Sequence, residues 1–157
     1  MKNLYIIGAR GFGREVYLSL MRWGVSEHYQ IKGFLDDNSN VLDGKGEYPP
    51  IVSSVEGFNP TRDDVFVCGL GAVAARRKYI QIVMEKGGRF DNMIAPRACV
   101  TPTAKLGQGV WIGGGSEISA DVSVGDFALV FTNVIMGHDV SFGAYSVAEH
   151  GVFMGGY

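Results

Sequence analysis

From Val100 onward the chain repeats with a period of six: Val100, Leu106, Ile112, Ile118, Val124, Val130, Met136, Phe142, Ala148 and Met154. Only Ala148 is a weak step. The position after an anchor is often glycine, as at Gly107, Gly113, Gly125, Gly137, Gly143 and Gly155. The position four after it is small or β-branched, as at Val110, Ser116, Val122, Ala128, Val134 and Val140. Self-similarity at a fixed period is the signature of a solenoid. Side chains on a strand alternate, so an anchor and the residue two before it share a face. Both are apolar or small, so that face turns into a narrow core. Three hexads close a triangular coil in which residue n stacks on n + 18. The predicted architecture is a parallel β-helix about 15 Å tall at the ~4.8 Å spacing of neighbouring strands. The glycines after the anchors are expected at the corners, where a tight bend favours a residue without Cβ.

Residues 1–97 follow a different rule. Leu4–Ile7 reads as a short apolar strand, running through Gly8-Ala9-Arg10-Gly11-Phe12-Gly13 into a helix over Val16–Trp23. Further strands are expected at Ile31–Leu35, ending in Asp36-Asp37, at Asp64–Cys68, and over Phe90–Ile94. Gly69-Leu70-Gly71 leads from the third strand into a helix over Ala74–Lys86. Strand and helix alternate with glycines at the strand ends, which predicts a small parallel α/β domain. The domains are therefore 1–97, α/β, and 98–157, all β.

Strand, glycine turn and helix N-terminus together make an anion site, because unpaired N–H groups and the helix dipole face outward there. Asp36 lies where a dinucleotide-type fold carries its ribose carboxylate. The glycine spacing is G-x-x-G-x-G rather than the dinucleotide G-x-G-x-x-G, and a tight strand-to-helix turn explains it equally. A nicotinamide dehydrogenase is disfavoured, since the domain is too short for the second half of a dinucleotide fold.

With 14 basic and 16 acidic residues the formal net charge is −2, so nothing favours nucleic acid or a membrane surface. The N-terminal apolar run is too short for a signal peptide or a membrane span, which implies a cytoplasmic setting. Cys68 and Cys99 both read as small, buried, reduced side chains. The histidines His28, His138 and His150 have no metal-ligand spacing. His138 stands two after an anchor, outside the core, with Ala120 and Gly156 eighteen residues to either side. The imidazole is thus flanked by very small residues, and Asp139 follows it. Histidine suits proton transfer near neutral pH. An exposed polar corner residue is the plain alternative.

The motifs Gly8–Val16, Phe34-Leu35-Asp36-Asp37, a glycine turn with Arg76-x-Lys78, and hexads carrying His138-Asp139 together resemble the bacterial sugar O- and N-acetyltransferases. These comprise the sialic acid O-acetyltransferase and UDP-4-amino-sugar N-acetyltransferase family. The resemblance covers nearly the whole chain. It implies a Rossmann-like domain followed by a left-handed β-helix, a homotrimer, acetyl-CoA as acyl donor, and a nucleotide sugar or sialic-acid-like sugar as acceptor. It implies His138 as the base, Asp139 as its orienting acid, and the Gly156 amide at the thioester carbonyl. It further implies Gly8, Gly11, Phe12 and Gly13 at the nucleotide phosphates, Asp36 and Asp37 near ribose and base, and Gly71 and Arg76 at the second turn. Replacing Asp36 is expected to weaken nucleotide-sugar binding without unfolding the domain. The chain departs from the family pattern at Phe131, where members carry asparagine, and at Val147, where some carry a second histidine. Ala72 and Val73 replace residues that are polar in some relatives. It reads as truncated after Tyr157, because members continue through further coils. A non-catalytic nucleotide-sugar-binding or assembly module stays open beside the enzyme; the N-terminal α/β domain argues against a third reading, an acyltransferase acting on an amino acid.

Overall fold

In the computed structural model, which describes residues 1–157, the first unit (Met1–Phe90) is built on five parallel strands. Their order is β3 (Ile51–Ser53), β2 (Tyr29–Leu35), β1 (Lys2–Ile7), β4 (Asp64–Cys68) and β5 (Arg89–Phe90). Parallel strands covered on both faces read as continuous apolar runs, and every residue of β4 is buried, Asp64 included. Burial pushes the Asp64 carboxyl up. Hydrogen bonds from Asn3 Nδ2 (2.9 Å) and from the Thr61 N–H and hydroxyl (2.8 and 2.9 Å) outweigh it and leave the group below its ordinary pKa.

Helix α1 (Gly11–Arg22) buries Gly13, Val16 and Leu20, and α2 (Val73–Glu85) buries Arg76, Ile80 and Val83. Both sets follow the three-to-four spacing of one helix face. The glycine turn is tighter than expected, because α1 already includes Gly11 and Gly13. The chain passes from β1 through α1 to β2 on one side, and reaches β4 on the other. Its topological switch point therefore lies between the carboxyl ends of β1 and β4, where open α/β sheets bind ligands.

The second unit (Asp91–Tyr157) is a three-sided coil of two-residue strands in sheets of four, three and four, all parallel. Every pair joins residues eighteen apart: Ile118 meets Val100 and Met136, and Val130 meets Ile112 and Ala148. The predicted anchors and the residues two before them form the core, from Val110 and Ile112 through Val140 and Ala148. The strand expected over Phe90–Ile94 is two strands. Arg89–Phe90 closes the sheet of the first unit, and Met93–Ile94 begins the coil against Trp111–Ile112. The units consequently divide at Phe90/Asp91, where the sequence reading placed 97/98. Asn92 finishes the first corner, accepting from Val110 N–H (2.9 Å) and donating to the Gly107 carbonyl (2.8 Å).

Three other expectations change. The short strand β3 follows Pro49-Pro50 and was not anticipated. Cys99 is exposed, since it precedes an anchor and so points outward, whereas Cys68 is buried and its thiol is pushed up to about 11 by that burial. The left-handed residue of each corner is not the glycine after the anchor. It is the third residue: Asp121, Phe127, Asn133, Asp139, Tyr145 and Tyr157, with φ between 57° and 74°, or a glycine, as at Gly109, Gly115 and Gly151. The glycine after the anchor is small for a different reason. A Cβ on Gly113 would stand 2.8 Å from the Phe131 carbonyl carbon of the next coil.

Ser116 is the one polar side chain buried inside the coil. Its hydroxyl donates to the Phe131 carbonyl (2.7 Å) and accepts from the Val134 N–H (3.1 Å). It therefore closes the corner of the coil above. Ser116→Ala strands both backbone groups, and we expect a loss of about 1–3 kcal/mol, read as a lower denaturation midpoint with an unchanged m-value in urea.

Candidate functional site

Two places gather the residues singled out in the sequence. The first is the switch point of the parallel sheet. Gly8 ends β1 with φ +88°, and a Cβ on Gly13 would lie 1.9 Å from the Gly8 carbonyl oxygen. Only glycine at 13 lets α1 start so close to the strand. Gly69 closes the other side, its N–H bonded to the Ile7 carbonyl (2.8 Å). Both helices begin here with no capping side chain and no acidic residue in the first turn. Their leading N–H groups have no intrahelical acceptor, so the carboxyl edge of β1 and β4 presents two positive helix ends. Gly11 and Gly71 are open, with nothing near the position of a Cβ. Phe12 is half-buried beside them.

The acidic and basic residues expected at this edge behave differently. Asp36 Oδ2 accepts from the Ala9 N–H and Oδ1 from the Asn38 N–H, both at 2.9 Å. Asp37 Oδ1 accepts from the Val55 N–H (3.2 Å) and Oδ2 from the Tyr79 hydroxyl (2.6 Å). Removing Asp36 therefore loosens the glycine turn as well as any ligand contact, so a loss of stability short of unfolding is expected beside the weaker binding. Arg76 is wholly buried on the inner face of α2, close enough to Cys68 to draw its thiol partly back down. It stands behind the turn rather than on its surface. Tyr79 was missed, since a lone tyrosine on a helix carries no signal of a partner forty-two residues away.

The second place is a corner of the coil. Asp139 takes the left-handed position (φ 64°), and its carboxylate turns back to His138 Nδ1 at 2.7 Å. A carboxylate only accepts, so Nδ1 carries the proton, and in the neutral imidazole Nε2 keeps its lone pair. Both side chains are about half exposed, at 56% and 47%. Backbone bonds hold the corner between its neighbours: Asp139 N–H to the Ala120 carbonyl (3.0 Å) and Tyr157 N–H to the His138 carbonyl (3.3 Å). Gly156 stands next to the imidazole, and a Cβ there would lie 2.6 Å from Nε2. The small flank inferred from the eighteen-residue offset is thus in contact with the basic nitrogen. The Tyr157 ring meets the imidazole edge-on at 5.2 Å.

His150, on another face, is held otherwise. Its Nδ1 lies 2.7 Å from the Thr132 hydroxyl and its ring stacks on Phe131 at 5.0 Å. It has no carboxylate to orient it as a base. No three His, Cys, Asp or Glu side chains come together to hold a metal ion, and no helix is long and apolar enough to cross a membrane.

Comparison with known proteins gives three kinds of likeness. Residues 3–83 match the family described as the PglD N-terminal domain. An uncharacterized protein, L142, of Acanthamoeba polyphaga mimivirus is 28% identical over 127 residues, 81% of this chain and 24% of that protein. The chain thus spans about a quarter of this curated relative. Among solved structures, WeeI from Acinetobacter baumannii AYE superposes with a TM-score of 0.78 at 17% identity, over 99% of this chain and 73% of that one. A mutant of GDP-perosamine N-acetyl transferase from Caulobacter crescentus, in complex with CoA and GDP-perosamine, gives 0.64 at 20% identity over 98% and 91%. The acetyltransferase domain of PglB from Neisseria gonorrhoeae FA1090, in complex with acetyl coenzyme A, gives 0.54 at 20% over 99% and 85%. At these identities the structures establish a shared fold.

The pairing of His138 with Asp139 has a spectroscopic consequence. Long-range ¹H–¹⁵N spectra of the neutral protein should show His138 as the Nδ1–H form. In Asp139→Ala the Nε2–H form, favoured in water, should appear. An unchanged tautomer in that variant would mean the carboxylate does not set it.

Proposed function

Since this chain belongs to the PglD N-terminal domain family, we propose that it is an acetyl-CoA-dependent acetyltransferase acting on a sugar or a nucleotide-linked amino sugar. In this reading a Rossmann-like unit holds the nucleotide sugar, a left-handed β-helix carries the chemistry, and three copies assemble. The observation that carries it is the His138–Asp139 pair, with Nδ1 bound to carboxylate at 2.7 Å and Gly156, which has no side chain, beside Nε2. The known proteins of like fold, named as binding CoA, acetyl-CoA or GDP-perosamine, support the substrate classes.

Acetyl-CoA is a substrate here. The acceptor amine or hydroxyl attacks the thioester carbonyl as His138 Nε2 takes its proton. The acetyl–sulfur bond breaks, and the proton passes from the imidazolium to the departing CoA sulfur. Asp139 fixes the tautomer and orientation of the ring through its bond to Nδ1. The Gly156 N–H is the donor for the carbonyl oxygen as negative charge develops on it. No nucleophilic serine or cysteine is needed. The two uncapped helix ends and the Gly8–Gly13 turn would meet the phosphates of the nucleotide sugar.

The reaction releases a free thiol, which can be followed with acetyl-CoA and UDP- or GDP-linked 4-amino-sugars. His138→Ala should lower kcat by roughly 100-fold or more with nucleotide affinity retained. A variant keeping most of its activity would place the base elsewhere. Phe131, at the position where the family carries asparagine, favours a second reading, a non-catalytic nucleotide-sugar-binding module. Nucleotide binding without thiol release from any of these acceptors would select it.

A further inference from the structure

All four oxygens of the Asp36–Asp37 pair are taken by the protein itself. Asp36 holds the Ala9 amide inside the glycine turn, between Gly8 and the start of α1. Asp37, the next residue, is pinned from the other side by the Tyr79 hydroxyl of α2 and the Val55 amide. The segment bearing Val55 is tied to α2 as well. Lys86 donates to the carbonyls of Glu56 and Phe58, and Lys78 lies 3.7 Å from the Glu56 carboxylate. A path of two hydrogen bonds joined by the Asp36–Asp37 peptide link thus runs from Tyr79 on α2 through Asp37 and Asp36 to Ala9. It joins the two helices whose N-termini form the edges of the switch-point crevice.

We propose that Tyr79 is a positioning residue of this crevice, bracing Asp37 so that Asp36 sets the Ala9 amide and the glycine turn in the conformation that receives a nucleoside diphosphate. On this account Asp36 and Asp37 act on the ligand through the backbone they hold. It rests on the reading of the crevice as a nucleotide site. The brace is stiff for a chemical reason. A short bond from a phenol to an ionised carboxylate is charge-assisted and about twice as strong as a neutral one. That bond, with burial and the nearby carboxylates adding to it, holds the Tyr79 phenol up at about 12.

The test uses UDP and GDP as probes, titrated calorimetrically into the intact chain and its variants. Tyr79→Phe keeps the ring and loses only the hydroxyl. It should weaken binding of whichever probe the parent chain takes by about tenfold, on the scale of one hydrogen bond to a charged group. Asp37→Ala should do the same, and the double variant should lose no more than the larger single loss, since both break one brace. Asp37→Asn can still accept from Val55 and donate to the Tyr79 oxygen, so it should stay within about threefold of the parent. Absorbance at 295 nm gives a readout that packing alone would not move. One tyrosine should titrate near 12, vanish from the titration in Tyr79→Phe, and fall towards 10 in Asp37→Asn. Parent-like affinity in Tyr79→Phe overturns the proposal. An Asp37→Asn as weak as Asp37→Ala overturns it too, because keeping both hydrogen bonds of the brace would then not keep the binding. A parent chain that binds neither probe instead sinks the nucleotide reading, and the brace with it.

Discussion

A Cβ on Gly137 would lie 2.6 Å from the Gly156 nitrogen, and one on Gly125 would lie 2.4 Å from the nitrogen of Ala144. Backbone stacked directly on backbone every eighteen residues is what the second unit is made of. At Gly113, Gly125 and Gly137 that spacing leaves no room for a Cβ, whereas Phe131 and Glu149 fill the equivalent place at other corners. It also fixes each later corner position one rung above its counterpart, so Ala120, His138 and Gly156 form a column. The place of Gly156 beside Nε2 follows from the same stacking. The first unit solves its own problem in the same way, since Gly13 against Gly8 and Gly69 brings a helix end onto a strand end.

The corner geometry carries a cost. Six non-glycine residues, Asp121, Phe127, Asn133, Asp139, Tyr145 and Tyr157, hold φ in the left-handed region, where an L-residue is disfavoured by about 1–2 kcal/mol. Asparagine and aspartate tolerate it best; Phe127 and Tyr145 do not, and their rings contact at 5.2 Å. The rung-to-rung hydrogen bonds, repeated at every step, over-determine these conformations. At Asp139 the same conformation returns the carboxylate to its own neighbour. A residue in ordinary extended backbone would point its side chain to the opposite face from its neighbour's instead.

The six-residue period, the core positions and the place of His138 were legible because each is a statement about spacing, and stacking converts spacing directly into neighbourhood. The two long helices and the strand Asp64–Cys68 were legible for the usual reason of one apolar face or one apolar run. What was not legible depends on contacts that spacing does not encode. Strand Ile51–Ser53 is short and lies at a sheet edge beside Pro50. Phe90 and Met93 are three residues apart yet belong to different sheets, because Asn92 ends the first corner with its own side chain. The glycines after the anchors were expected at tight bends, although it is close stacking of backbone on backbone that demands glycine at Gly113, Gly125 and Gly137. Asp36 and Asp37 were visible as a pair, but their partners Ala9, Val55 and Tyr79 were not. Arg76 was visible as a charge near a glycine turn, while its burial follows from the inner face of α2.

Because each rung touches only the rungs beside it, length changes in the coil have unequal effects. Loss of eighteen residues below His138 returns every later side chain to the face it left, one storey lower. Loss of six would leave every anchor on an anchor, so the interior would stay apolar and well filled. The imidazole, however, would turn through a third of a revolution onto a different face. A family of such chains can therefore vary in height by whole coils and keep its chemistry in place, whereas a single hexad gained or lost preserves the scaffold and relocates its working corner.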